Sequence, residues 1–158
     1  MKNIAGCLLI GSLLLAILTG CAGGELSAPT GTTAEIVDKV FAQAQVENFG
    51  MVQPVVTDEY KEFFLGSKDY PEFADATAVM PMINIDTRVM VIIRAVDKGD
   101  VADLAAKLKA NIDPNRVVCV TFTLDDVAIE SRGDVVFMTI NTDAEQRAAL
   151  AEAFLSID

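Results

Sequence analysis

The chain has 158 residues, 52% of them hydrophobic and 22% charged, a composition that excludes a disordered or collagen-like polymer and suits one domain. Its 12 basic residues face 23 acidic ones, and the net charge of −11 argues against nucleic acid and anionic headgroups as partners. Histidine is absent, which removes Ser-His-Asp and Cys-His machinery and most zinc and haem ligand sets.

Lys2 and the 15-residue apolar run Ile4–Leu18 have the proportions of a secretion signal. A membrane span needs about 20 apolar residues, so the run is short for one. The sequence Leu18-Thr19-Gly20-Cys21 that follows resembles the bacterial lipoprotein box. The resemblance implies a diacylglyceryl thioether on Cys21, cleavage between Gly20 and Cys21, and a further acyl chain such as palmitate on the new N-terminus. A thiolate is the nucleophile that such chemistry needs, and two or three chains anchor where one would not. The expected segments are a signal peptide at 1–20, a lipidated Cys and flexible tether at 21–32, and a single globular domain at 33–158. Loss of the signal takes one lysine and no acid, leaving a net charge of −12. The expected location is the outer face of the cytoplasmic membrane, held there by lipid rather than by charge. Cys7 leaves with the signal and Cys21 is lipidated, so Cys119 has no disulfide partner within the mature domain.

The first helix of the domain begins at Thr32, which with Glu35 forms a capping box. Ile36, Val37, Val40, Phe41 and Ala44 share one of its faces. A second helix is predicted over 57–65, with Thr57 as N-cap and Gly66 past its end. From residue 76 the period changes to two. Strands are predicted over 76–85, where Pro81 implies an edge or a bulge, and over 88–96. In the second strand Val89, Val91, Ile93 and Ala95 share one face and Arg88, Met90, Ile92 and Arg94 the other, one face being core and the other at least partly wet.

A helix over 100–111 capped by Asp100, a strand over 117–123, and a hairpin of 127–130 with 134–141 turning over Ser131-Arg132-Gly133 come next. A last helix is boxed by Thr142 and Glu145 and presents Leu150, Ala151, Phe154 and Ile157. This order predicts an α+β fold, a mostly antiparallel sheet of about five strands with helices packed on one face. The Ala34-Glu35-Ile36-Val37 helix, the Val89–Ile93 strand, the segment Asp113–Val120 and the closing Gly133–Phe137 strand together resemble small uncharacterised lipoproteins of Gram-positive bacteria that carry a domain of unknown function. The resemblance spans roughly residues 33–157 and implies an anchored extracytoplasmic domain, with no activity or site to transfer.

Several side-chain groups invite chemistry. Asp97, Asp100 and Asp103 are hard oxygen ligands, but their spacing is that of a helix entry rather than of a calcium loop. Asp125, Asp126 and Glu130 are the acid-base candidates of an envelope enzyme that uses carboxylates, with a hard metal ion as an option. Met80 and Met82 offer soft sulfur of the kind that suits Cu(I), and equally fill irregular core gaps. Arg132-Gly133-Asp134 matches an integrin-ligand tripeptide and is explained by a charged hairpin turn. Tyr60, Phe63, Phe64, Tyr70 and Phe73 hold five of the ten aromatics within fourteen residues and form the candidate binding surface, or else the place where a helix meets the sheet. Without a nucleophile–base arrangement, the preferred function is a non-catalytic binding or assembly module. It would be anchored by lipid, need no cofactor and contact an envelope protein; the carboxylate enzyme is the alternative.

Overall fold

The computed structural model describes residues 26–83, 85–115 and 120–158. The expected signal segment 1–20, the expected cleavage at Gly20–Cys21 and lipidation of Cys21, and Cys119 all fall outside the described residues.

Among the described residues nine main elements follow in chain order: α1 (Thr33–Ala44), β1 (Met51–Pro54), α2 (Asp58–Leu65), β2 (Phe73–Met80), β3 (Val89–Ala95), α3 (Val101–Ala110), β4 (Val127–Arg132), β5 (Val135–Ile140) and α4 (Ala144–Ser156). The Thr32–Glu35 box caps α1 as its sequence dictates, both reciprocal bonds being present. Thr57 accepts the Tyr60 N–H to start α2, and Gly66 ends it in the left-handed region. The α4 entry differs from expectation: Asp143 caps it, accepting from Glu145 and Gln146, while Thr142 stands one residue outside. Before α3, Asp97 accepts the Gly99 N–H and caps a short 3-10 turn over Lys98–Asp100, so Asp100 makes no side-chain cap bond.

The sheet is antiparallel throughout, in the order β1-β2-β3-β5-β4. Its centre is β3, where Val91 pairs with Ala78 and Met138, and Ile92 with Thr77 and Phe137. The α+β class and the five-stranded antiparallel sheet therefore stand as read from sequence. Two details differ. Over its described part, 120–123, the segment read as a strand forms none. Phe122 is buried there without a ladder, and Thr123 opens a 3-10 turn by donating to Asp126. The fifth strand is instead β1, too short to show a period and ended by Pro54.

Helices cover both faces of the sheet rather than one. Phe64, Leu65, Leu104 and Leu108 of α2 and α3 pack on Ala78, Val91, Ile93, Val136 and Met138. On the other face Ile36, Val40, Leu150 and Phe154 of α1 and α4 pack on Val79, Met90, Ile92, Val135 and Phe137. Phe137 and Phe154 stack there with ring centroids 5.1 Å apart. The alternation in β3 is as predicted, but both of its faces are core. Arg88 precedes the strand and Arg94 is its penultimate residue, so neither interrupts the apolar middle that two covered faces require. β2 ends at Met80 because Pro81 cannot continue the ladder. Gly50 lets the chain pass directly against the Met80 carbonyl, where a Cβ would collide with backbone.

Candidate functional site

The two ends of the sheet carry different chemistry. At one end lie Arg94, Arg132 and the β4–β5 turn. Arg132, nearly buried, donates through Nε to the Ser27 carbonyl (3.1 Å) and through Nη1 to those of Phe154 (3.1 Å) and Ile157. The last two are carbonyls that the C-terminal end of α4 leaves open, where a cation is also favoured by the helix dipole. Arg94 pairs with Asp134 (2.8 Å) and donates to the Pro29 (2.9 Å) and Gly31 (3.0 Å) carbonyls. Lys39 reaches the Thr30 (3.0 Å) and Asp158 (2.9 Å) carbonyls.

Residues 27–31 are thus strapped to the domain by three cations, with Pro29 buried. Residues 27–31 of the expected flexible tether are part of the fold, because their carbonyls take up N–H groups that Phe154, Ile157 and Asp134 leave over on the two guanidinium groups at this end. The same geometry disposes of the Arg-Gly-Asp reading. Arg132 is buried, Asp134 is paired, and Gly133 has φ +57° with Ala28 so close that a Cβ would clash. Arg132 belongs to β4 rather than to the turn.

At the other end are the start of β1, the end of β2 and the connection 81–88. Met51, Gln53, Phe63, Phe64, Met80, Pro81 and Met82 line a groove of about 250 Å³. Met82 is 80% exposed, and Ile83 and Ile85 continue the apolar surface beyond it. Of the two soft sulfurs only that of Met80 is in a strand; Met82 is in the turn after it, so the pair does not share a strand face. Asp86 and Arg88 close this connection as a bidentate pair, and Arg88 also lies over the Phe49 ring at 4.9 Å. Arg88 hydrogen-bonds the Asp86 carboxylate and so holds its pKa below the ordinary 3.8, burial opposing in part.

The structure divides the five aromatics of the candidate surface. Tyr60 and Phe63 are exposed, and Phe63 lines the groove. Phe64 is core, with the rings of Tyr60 and Phe63 edge-on to it at 6.0 and 4.9 Å. Tyr70 and Phe73 are half-buried against the α2–α3 core. The Tyr70 hydroxyl donates to the Leu65 carbonyl (2.8 Å) and accepts from Asn111 (3.0 Å), tying the ends of α2 and α3 together. Burial pushes its phenol pKa above the ordinary value, the Asn111 bond opposing, so it stays protonated as a donor. Lys61 sits over the Phe73 ring at 5.0 Å. Met51 joins this site although its strand has no sequence signal; three methionines within reach of an aromatic helix are visible only once β1 pairs with β2.

The carboxylate candidates stay dispersed in structural tasks. Asp103 pairs with Lys107 at 3.4 Å. Asp126 accepts from the Thr123 N–H (2.8 Å) and lies 3.7 Å from Arg147, while Asp125 is exposed and Glu130 half-buried on β4. Among the described residues no cluster of three His, Cys, Asp or Glu side chains is placed to hold a metal ion. A second concavity of about 370 Å³ between α3 and β4 is lined mainly by aliphatic chains such as Ile112, Leu124 and Ile129, with Lys109 at its rim. No described helix is long and apolar enough to cross a membrane. Compared with protein-family models, with curated proteins and with solved structures, the chain gives no match.

Proposed function

We propose that this protein is a bacterial lipoprotein whose domain binds a protein partner at the outer face of the cytoplasmic membrane, without chemistry of its own. The observation that carries the reading is the Leu18-Thr19-Gly20-Cys21 box directly after a 15-residue apolar run. The binding half of the proposal draws on the Met51–Phe63–Met82 groove, since clustered exposed apolar side chains on a folded domain mark interaction sites.

Metabolic labelling with an alkyne-bearing palmitate tests the anchor. The full chain takes up label and fractionates with membranes, and Cys21→Ser abolishes both. A wild-type chain that takes no label and stays in the soluble fraction overturns the anchor. Crosslinking in intact cells from a photoreactive residue at position 82 tests the function: one reproducible protein in near-equal amount is expected, and no enriched protein argues against an assembly role.

A further inference from the structure

We infer that β4 is the contact strand of a homodimer, in which two copies of this chain pair β4 with β4 antiparallel about a two-fold axis at Ile129. The inference needs neither the lipid anchor nor the Met51–Phe63–Met82 groove, and goes beyond both.

The hydrogen-bond phase of the sheet decides which backbone groups are left over. In an antiparallel ladder, successive residues of an edge strand bond alternately inward and outward. The Asn141 N–H donates to the Asp126 carbonyl (2.9 Å), and in the same register Ala128, Glu130 and Arg132 bond β5. Val127, Ile129 and Ser131 therefore turn their backbone groups to the outer edge. The Val127 N–H is taken by the Leu124 carbonyl. Among the described residues nothing takes up the Val127 carbonyl or the N–H and carbonyl of Ile129 and Ser131. The opposite edge differs. The Val55 N–H donates to the Ala76 carbonyl (2.8 Å), and the same alternation turns Val52 and Pro54 outward on β1. Pro54 has no N–H, so that edge is blocked where β4 is open. Exposed edges are commonly guarded by proline, lysine or a bulge, and β4 carries none of these.

An unguarded edge accepts another extended strand, and the local chemistry makes that strand a second β4. With the axis at Ile129, each Ile129 exchanges both bonds with its counterpart, and each Ser131 N–H meets the Val127 carbonyl of the other copy. Moving the axis to Glu130 would set two carboxylates face to face, which cross-strand repulsion opposes. Val127 and Ile129 lie on the face that packs against the α2–α3 core, where with Ile112 and Leu124 they line the concavity of about 370 Å³. Pairing brings the two concavities side by side and covers Leu124, which is 55% exposed in one copy. Both α3 and α4 lie over β4 and β5, on opposite faces. With the two β4 strands about 4.8 Å apart, like helices of the two copies come to about 10 Å, a packing distance. Charge agrees. The register carries the Leu124–Asp126 turn of each copy to the Gly133 end of the other's β4, where Lys98 lines the surface beside Ser131 and Gly133. Asp125 and Lys98, both exposed, then face each other as opposite charges on either side of the axis. With β1 blocked, pairing closes at two copies instead of growing head to tail.

The test uses the full chain, in detergent where it fractionates with membranes. Sedimentation over a hundredfold range of concentration should show monomer and dimer alone. Ser131→Pro removes an outward donor at an exposed position, and Ile129→Lys puts a guarding charge on the edge. Each should raise the dimer dissociation constant at least tenfold while circular dichroism stays that of the wild type. Should either variant fail to fold, the exposed charges decide: Asp125→Lys and Lys98→Asp each weaken the dimer, and together restore it. Mild oxidation of Ile129→Cys should give a disulfide-linked dimer absent from the wild type, and Val52→Cys on β1 should not. A monomer throughout, species larger than a dimer, or a dimer indifferent to both edge variants overturns the inference. So does crosslinking at Val52 instead of Ile129, or a charge exchange that restores nothing. A monomer that binds a Val/Thr strand peptide through Ile129 makes a foreign strand the occupant and overturns it as well. Palmitate labelling has no bearing on these outcomes, so the two proposals fail separately.

Discussion

At the Gly133 end of the sheet, Arg94, Arg132 and Lys39 are used up on backbone carbonyls, and the incoming chain is sealed over them. At the Met82 end, the connection between β2 and β3 leaves Met82, Ile83 and Ile85 in water, with one surface ion pair holding the loop. Both ends interrupt the same two-faced apolar core. One closes it with charge-assisted hydrogen bonds, and the other leaves part of it open. Stability is thereby tied to one end and the proposed binding to the other, and substitutions should separate them.

The largest effect is expected at Arg132. Arg132→Met removes the donor to Ser27, Phe154 and Ile157 in a nearly buried site, stranding their carbonyls, and should cost about 3 kcal/mol. Urea unfolding measures it, and limited proteolysis should then cut near residues 27–31. A loss under about 0.5 kcal/mol would mean that the strap is not held as described. Arg94→Gln keeps part of the polar contact and sits in a side chain 20% exposed, so about 1 kcal/mol is expected by the same measurement.

At the groove end the ion pair gives a pH signature. Arg88 lowers the Asp86 pKa in the folded state, so the folded protein binds fewer protons there than the unfolded chain. Its contribution is complete above the ordinary carboxylate value and is lost as pH falls below it through the folded value. Between about pH 5 and pH 2 the wild type should lose more stability than Asp86→Asn, and parallel curves would contradict the assignment. The smallest stability effect belongs to Met82→Ser, within about 0.5 kcal/mol, since the side chain is mostly in water. A larger loss would show that the groove end is also structural.

Much of the fold was legible where local chemistry decides. The capping box of Thr32 and Glu35 and the Thr57 and Gly66 ends of α2 follow from side chains within one turn of the backbone groups they serve. The candidate site was only half legible. An aromatic cluster at 60–73 is visible in sequence, but which ring faces water depends on where α2 lands on the sheet. Phe63 and Phe64 are adjacent, and one is exposed while the other is core. Asp143 rather than Thr142 caps α4 because the Asn141 side chain accepts the Asp143 N–H and shifts the helix entry by one residue.

The sequence by itself determined the four helices with the caps of α1 and α2, the alternation of β3, and a strongly acidic chain whose first residues read as a lipoprotein signal. Each of these depends on residues close together along the chain. Only the tertiary structure decided that helices cover both faces, that β1 supplies the fifth strand, and that residues 27–31 are strapped down while Met51 meets Met80. Those outcomes depend on contacts between distant segments. A carbonyl such as that of Ser27 shows no sequence sign that Arg132, 105 residues on, will need it.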